Sequence, residues 1–371
     1  MVAHEGLDGV VALESDVSSV VDGVLRYRGY SIDDLAANVS FEECAYLLDH
    51  DDLPTSAQLA AFHRELDAEW GVPAGVIQGL HVLPTNVVPM AAMRTAVSLL
   101  GHFDPDAESL APEANRRKAV RLLAKAGPLI GAIDRIRKGL EPVPAQAGQS
   151  IAWNFLWCLF GKEPGATAVK SIDLALVLHA EHELSASTFC ARMAASTLAD
   201  LHSAIVAAIG ALKGRLHGGA NEQVMEMLAS IGPDGDVEAW LRAALERRDR
   251  IMGFGHRVHK TVDPRTRWLR EAADRLTKGT PGEAHLRTSQ RLEQAMAAQR
   301  RILPNVDLYA ATTYAALGIP TDLFPLVFVL ARTPGWCAHV LEQYRDNRLI
   351  HPRARYVGAS DRAVVPIDRR T

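Results

Sequence analysis

Ser31-Ile32-Asp33-Asp34-Leu35-Ala36-Ala37-Asn38-Val39-Ser40-Phe41-Glu42-Glu43-Cys44-Ala45-Tyr46-Leu47-Leu48 is the stretch where the pattern of the chain changes. Before it, residues 10–13 and 24–27 read as short strands, and Asp22-Gly23 between them is a favoured tight-turn pair. From Ser31 onward apolar residues recur at helical spacing, first Ile32, Leu35 and Ala36, then Ala45, Leu47 and Leu48. The expectation is a small N-terminal β-hairpin followed by helix after helix, with Gly and Pro at joints such as Leu53-Pro54 and Gly71-Val72-Pro73.

Working outward, further breaks are expected at 101–112, 139–148, 161–165, 232–235 and 279–282, most of them turn-sized connections between helices. The chain has no internal repeat, no alternating strand-helix series and neither a GxGxxG nor a GxxxxGK[ST] motif, which argues against a doubly wound nucleotide-binding sheet. The fold class read from the residues is all-α.

Bulk properties bound the function. A chain of 371 residues can bury a large core and suggests two structural units, and 48% apolar with 23% charged residues is ordinary globular composition. The net charge is −4 with acids and bases interspersed, so no single-sign field is available for DNA or a lipid surface, and neither nucleic acid nor membrane is an expected partner. The start lacks a basic, apolar leader, and the longest apolar run, 323–331, is too short to span a bilayer, so a soluble, cytoplasmic protein is expected. Cys44, Cys158, Cys190 and Cys337 lie far apart without CxxC spacing and read as small apolar residues in a reducing compartment.

Three loops carry chemistry. In Leu178-His179-Ala180-Glu181-His182-Glu183 the two imidazoles stand at i, i+3 on one helical face, where they can bind an anion, an oxygen or a metal, or simply satisfy core hydrogen bonds. In Lys213-Gly214-Arg215-Leu216-His217-Gly218-Gly219-Ala220-Asn221-Glu222 glycines end one helix and Asn221 is positioned to cap the next, holding His217 before a helix N-terminus that favours a neutral imidazole. The third, Ile251-Met252-Gly253-Phe254-Gly255-His256-Arg257-Val258-His259-Lys260, continues to Asp263-Pro264-Arg265 and suits a phosphorylated or carboxylated ligand. Beyond it come Pro304-Asn305-Val306-Asp307 and Ala331-Arg332-Thr333; an Asp in the first setting is more often a helix cap than a base.

From these residues alone two readings stay open. One is metal hydrolysis, using the pairs His179/His182 and His256/His259 with Asp307, against which stand the absence of HExxH and the nearby bases Arg257, Lys260, Arg265 and Arg332. The other is carbon-carbon bond formation on anionic substrates, with those bases as carboxylate clamps.

The loops His-Gly-Gly-Ala-Asn, Gly-Phe-Gly-His-Arg-Val and Pro-Asn-Val-Asp, in this order, resemble the citrate synthase family. The resemblance covers nearly the whole chain, from Gly6-Leu7-Asp8-Gly9 and Leu25-Arg26-Tyr27-Arg28-Gly29 through Pro89-Met90 and Arg94-Thr95-Ala96 to Tyr356-Val357-Gly358. It implies a two-domain helical fold, with residues 1–217 and 325–371 in a large domain and 218–324 in a small mobile one. The implied reaction condenses acetyl-CoA with oxaloacetate and hydrolyses the thioester, without metal or other cofactor. Asp307 would remove the methyl proton, neutral His217 hydrogen-bond the thioester oxygen, and His256 donate to the keto oxygen. His182, Arg265 and Arg332 would bind oxaloacetate, and Arg250, Ile251, Met252, Gly253 and Phe254 would receive the adenine end of CoA. The short form implies a homodimer, across which the family sends an arginine to oxaloacetate; here His351-Pro352-Arg353 stands in place of Arg-Pro, so either affinity falls or His351, Arg353 or Arg355 fills that role. Ser185, His259 and Val88 also depart from close relatives. Two alternatives accompany this reading: a 2-methylcitrate synthase using propionyl-CoA, and a ligand-binding paralogue with impaired catalysis.

Overall fold

The computed structural model describes residues 5–7, 9–233, 235–255, 263–280, 282–300 and 302–370. A three-stranded antiparallel sheet comes first, β1 Ser18–Val21, β2 Val24–Tyr27 and β3 Tyr30–Ser31, paired in that order. Ser18 stands opposite Tyr27 and Val21 opposite Val24, which leaves Asp22 and Gly23 as the two turn residues. Both have positive φ, 54° and 78°, the backbone that Asp-Gly adopts at low cost. The turn and the second strand are where the sequence puts them, but the first strand is not at 10–13. A strand needs a partner in register, and around this turn only 18–21 meets 24–27; Val10 and Val11 are left exposed.

Helices follow: α1 Ile32–Asn38, α2 Phe41–His50, α3 Ser56–Glu69, α4 Ala74–His81, α5 Pro89–Phe103, α6 Pro112–Arg137, α7 Ile151–Phe160 and α8 Ala166–His179. Then come α9 Ala186–Ser196, α10 Leu201–Leu212, α11 Ala220–Ile231, α12 Val237–Glu246, α13 Arg265–Thr277, α14 Glu283–Arg300, α15 Val306–Ala316 and α16 Phe324–Arg345. Their starts are locally encoded. At α2 the Glu43 N–H donates to Ser40 Oγ while the Glu43 carboxylate accepts from the Ser40 N–H, a reciprocal cap that Thr55 and Gln58 repeat at α3. The expected breaks fall between helices except at Gly101, which α5 passes through to end at Phe103.

Helix α16 forms the axis of the core. Helices α2, α5, α6, α8, α9, α10 and α11 pack against it, and Phe324, Leu326, Val327, Leu330 and Trp336 are fully buried. By length and composition it could cross a bilayer, yet its apolar window is wholly enclosed by the rest of the protein. Each large apolar side chain so enclosed contributes about 1.5–3 kcal/mol relative to exposure. Helices α11 to α15 pack on one another, and α11 and α13 also touch α16 and α8. The loop 180–185, the loop 213–219, the N-termini of α13 and α15, and one face of α16 are thereby gathered at the junction.

Candidate active site

The α10–α11 loop folds back on itself, with the Gly218 N–H donating to Leu212 O at 2.9 Å and the His217 N–H to Gly214 O at 2.9 Å. His217 projects toward the start of α9. Its Nε2 accepts from the Ser187 backbone N–H at 3.3 Å and lies 2.7 Å from Ser187 Oγ. The buried Trp336 indole N–H donates to that same Oγ at 3.2 Å, so the serine hydroxyl proton is directed at Nε2. With two donors aimed at Nε2, the ring proton must sit on Nδ1. Burial first, then the Arg332 charge, push the imidazole down to about 4, so His217 is neutral at neutral pH. The sequence attributed this neutrality to a helix N-terminus capped by Asn221. Instead Gly219 is the capping residue of α11, and the buried Asn221 Oδ1 accepts from the Glu222 N–H one residue on.

Asp307 opens α15. Asn305 caps that helix by accepting the Asp307 N–H at 3.0 Å, so the cap is the Asn and Asp307 is left for other work. Two loops are stitched together here: the Gly255 N–H donates to Leu303 O at 3.0 Å, and Asn305 donates from its backbone to Gly253 O and from Nδ2 to Gly255 O, each at 2.9 Å. The strip Arg250, Ile251, Met252, Gly253 and Phe254 is thus laid against the start of α15. Gly253 has φ 80°, and a Cβ there would meet Leu308 and Val224 at 3.0 Å, so only glycine fits. Asp307 itself is half-buried; burial pushes its carboxyl up to about 6, with Arg265 holding it down and Asp263 adding to the rise.

Arg265, at the first turn of α13, is buried and gives Nε and Nη2 to the Asp263 carboxylate at 2.9 and 2.8 Å. That carboxylate also accepts the Val306 N–H at 3.2 Å, which couples the arginine to the base of α15. Arg332, on α16, donates Nε to His179 O at 2.7 Å and Nη1 to Ser185 Oγ at 3.3 Å, with its guanidinium 4.8 Å from the Phe328 ring centre. Phe328 also meets the His217 ring edge-on at 6.0 Å and the His179 ring at 5.3 Å, so one aromatic side chain separates three polar groups. His182 is buried in the 180–185 turn. Its neighbour His179 donates Nδ1 to Ala175 O at 2.8 Å, and burial, then Arg265, push it down to about 3.

The citrate synthase C-terminal domain family matches residues 6–353. The chain belongs to the citrate synthase family. It is 50% identical to "Citrate synthase 2" of Bacillus subtilis (strain 168), over the full length of both chains. It is 41% identical to "2-methylcitrate synthase 1" of Corynebacterium glutamicum, covering 99% of this chain and 98% of that one. Among solved structures, the citrate synthase of Thermoplasma acidophilum in a ternary complex with carboxymethyl coenzyme A and oxaloacetate superposes with a TM-score of 0.93 at 31% identity, covering 99% of each chain. Like its family, this citrate synthase-type chain is an acyltransferase with an all-α fold.

The structure therefore brings His182, His217, Arg265, Asp307, Arg332 and the 250–254 strip of this citrate synthase-family chain around one junction. His256 lies outside the described residues, as do His259 and the bases Arg257 and Lys260. His351 and Arg353 are not brought in: both are exposed on the C-terminal arm, and among the described residues no hydrogen bond or ion pair joins either to the site. For the metal reading, no group of three or more His, Cys, Asp or Glu suited to a metal occurs among the described residues. All four cysteines are free, and burial raises every thiol, so none is poised as a nucleophile. A cavity of about 630 Å³ opens beside the His217 loop, lined in part by Arg137, Lys213, Arg215, Glu222, Glu226 and Asp322; none of the catalytic candidates lines it. Sequence reasoning did not assign Ser187, Trp336 or Phe328, which lie 30, 119 and 111 positions from His217 and carry no local motif.

Proposed function

We propose that the chain condenses the methyl carbon of acetyl-CoA with the keto carbon of oxaloacetate and then hydrolyses the resulting thioester to citrate and CoA. The observation that carries this reading is the His217 arrangement, a neutral imidazole whose Nε2 is occupied by Ser187 and whose Nδ1–H is left to donate. A thioester methyl is a very weak acid, and each unit of mismatch with the base costs about 1.4 kcal/mol, to be offset by stabilising the enol(ate) oxygen. Asp307, raised to about 6, is still mostly ionised at neutral pH and is the stronger base for that rise. It takes the methyl proton while His217 Nδ1–H holds the thioester oxygen. His256 donates to the oxaloacetate keto oxygen, and the carbon-carbon bond forms at the carbon so polarised.

Oxaloacetate carboxylates fall to His182, Arg265 and Arg332, and the CoA adenine end to the 250–254 strip. The reaction calls for no metal, nucleotide or redox group. Residues 218–324 serve as the smaller, mobile part that closes on the substrates; the mutual packing of α11 to α15 supports this. The working form is a two-fold homodimer. In support, the arm beyond α16 is exposed and carries the apolar side chains Val357, Val364 and Ile367 at its surface. Such an arm lets His351 or Arg353 serve the neighbour's site. Four free cysteines suit a cytoplasmic location.

Release of CoA thiol with oxaloacetate and acetyl-CoA tests the proposal, with propionyl-CoA run alongside. The identity to a 2-methylcitrate synthase supports a second reading, that propionyl-CoA is the preferred acyl donor. A kcat/KM ratio favouring propionyl-CoA would decide for it, and oxaloacetate binding without turnover of either donor would decide for a non-catalytic paralogue.

A further inference from the structure

The turn that carries His182 is fastened on both sides, and one side is the N-terminal sheet. On β1, the edge strand, the Ser18 hydroxyl donates to Glu181 Oε1 at 3.1 Å while its oxygen accepts the Glu183 N–H at 2.9 Å. Two residues along, the Val20 N–H donates to the Glu183 carboxylate at 2.6 Å. Glu183 has φ 50°, the left-handed conformation that a side-chain-bearing residue keeps only when its surroundings hold it there. From β2, the Tyr27 hydroxyl lies 3.3 Å from the carbonyls of Val177 and Leu178, at the end of the helix leading into the turn.

The other side is α16. Arg332, Gly335 and His339 stand at i, i+3 and i+7, on one helical face. Arg332 holds His179 O and Ser185 Oγ, the two ends of the turn. At Gly335 a Cβ would come within 2.3 Å of Ala180 O and of Glu181 Oε2, so the missing side chain admits the carboxylate. His339 lies with Nε2 3.1 Å from Glu181 Oε1 and Nδ1 3.1 Å from Arg192 Nη1. Since arginine can only donate, His339 carries its proton on Nε2 and gives it to Glu181. Glu181 is fully buried, and it is the anion that offsets the burial of the Arg332 cation.

We propose that Ser18, acting through Glu181 and Glu183, is a positioning residue for the oxaloacetate end of the site: the edge of the N-terminal sheet sets the orientation of His182 and Arg332. The residue between the two fastened glutamates is His182, and the carboxylate that Ser18 holds is the countercharge of Arg332. This inference rests on the functional reading above. It gives the sheet, otherwise a small appendage to a helical protein, a part in substrate binding.

The test uses the full-length chain, with oxaloacetate binding by calorimetry beside steady-state kinetics for both substrates. Ser18→Ala removes the donor to Glu181 and the acceptor for the Glu183 N–H at a half-buried position of an edge strand, outside the helical core. The expected result is a rise of about tenfold in KM and Kd for oxaloacetate, the factor carried by one hydrogen bond to a charged group. The KM for acyl-CoA should stay within about twofold, and Ser18→Thr, which keeps the hydroxyl, should restore wild-type values. Glu181→Gln keeps the shape and removes the countercharge, and its oxaloacetate defect should exceed that of Ser18→Ala. A Ser18→Ala variant that lowers the melting temperature but leaves oxaloacetate KM unchanged would overturn the inference while leaving the functional reading intact. So would equal losses for both substrates, or failure of Ser18→Thr to rescue. No oxaloacetate binding by the unmodified protein would overturn both.

Discussion

Replacing Asp307 by Asn separates the two consequences of burying that carboxylate. The side chain sits at the second position of α15, and its backbone N–H, not its carboxylate, is what Asn305 caps, so the helix start does not depend on the charge. Burial pushes the carboxyl up to about 6. An isosteric amide cannot take a proton, and loss of a general base costs about 10²–10⁴ in rate, or about 3–5 kcal/mol of barrier. Stability should move the other way. A group whose folded pKa lies above its unfolded value contributes stability below the unfolded value, near 4, and loses it as pH rises through about 6. At pH 8 the native state therefore holds a carboxylate it would rather protonate, and Asn relieves it. The expected result is at least about a hundredfold lower kcat by CoA release, oxaloacetate affinity equal to or above wild type, and a melting temperature at pH 8 equal to or above wild type. The wild-type kcat/KM should also fall about tenfold per pH unit below about 6 as the base protonates. Activity within tenfold of wild type in the Asn variant would refute the assignment, and so would a flat acid limb.

The His217 tautomer gives a second test. Ser187→Ala removes one of the two donors to Nε2 and strands the buried Trp336 N–H, so kcat should fall several-fold, to about tenfold, with a melting temperature lowered by the loss of about 1–3 kcal/mol; unchanged kcat would show that the backbone N–H alone holds the ring. For the arm, His351→Arg should lower KM for oxaloacetate if His351 is the ligand, whereas Arg353→Ala should raise it about ten- to a hundredfold if Arg353 is; flat results in both kinetic assays would remove the arm from the site. Truncation after Asn347 should abolish activity and reduce a light-scattering mass of two chains toward one, and an active monomer would sink the dimer.

The helical architecture was legible because the apolar period survives in local sequence, as at Ile32, Leu35 and Ala36, and caps such as Ser40 with Glu43 are local too. The hairpin was legible through Asp22-Gly23 but its first strand was not, since a short apolar run at 10–13 looks the same whether or not a partner strand lies opposite. At the site, the three loops announced themselves by motif, and the structure gathers the described parts of them. The reasons those side chains work were hidden. His217 owes its neutrality to burial and Arg332, 115 positions away, and its tautomer to Ser187 and Trp336. Asn221 had the residue type of a cap and the wrong register. Arg265 was read as an open carboxylate clamp, but two of its N–H groups are already held by Asp263, a pairing that residue type alone leaves undecided.

That pairing bears on the role proposed for the arm. Each buried arginine of the site comes with its own anion, Asp263 on Arg265 in bidentate contact and Glu181 offsetting Arg332. Buried cations are tolerated because they are so matched. Oxaloacetate then brings two more negative charges into a space where Asp307 must also ionise to act, and each added anion nearby raises Asp307 further, as Asp263 already does. A carboxylate pair bound only by matched arginines would therefore push the base toward its protonated, inactive form. An additional cation supplied together with the substrate removes the conflict, and Arg353, carried on an exposed arm, offers a guanidinium whose forked donors match a carboxylate as an imidazole does not. In the proposed dimer, the charge balance thus favours Arg353 over His351 as the group offered to the neighbouring site. It also ties substrate affinity and base ionisation to one residue: Arg353→Ala should move the acid limb of kcat upward in pH as well as raise KM, and a KM change with the limb unmoved would count against the coupling.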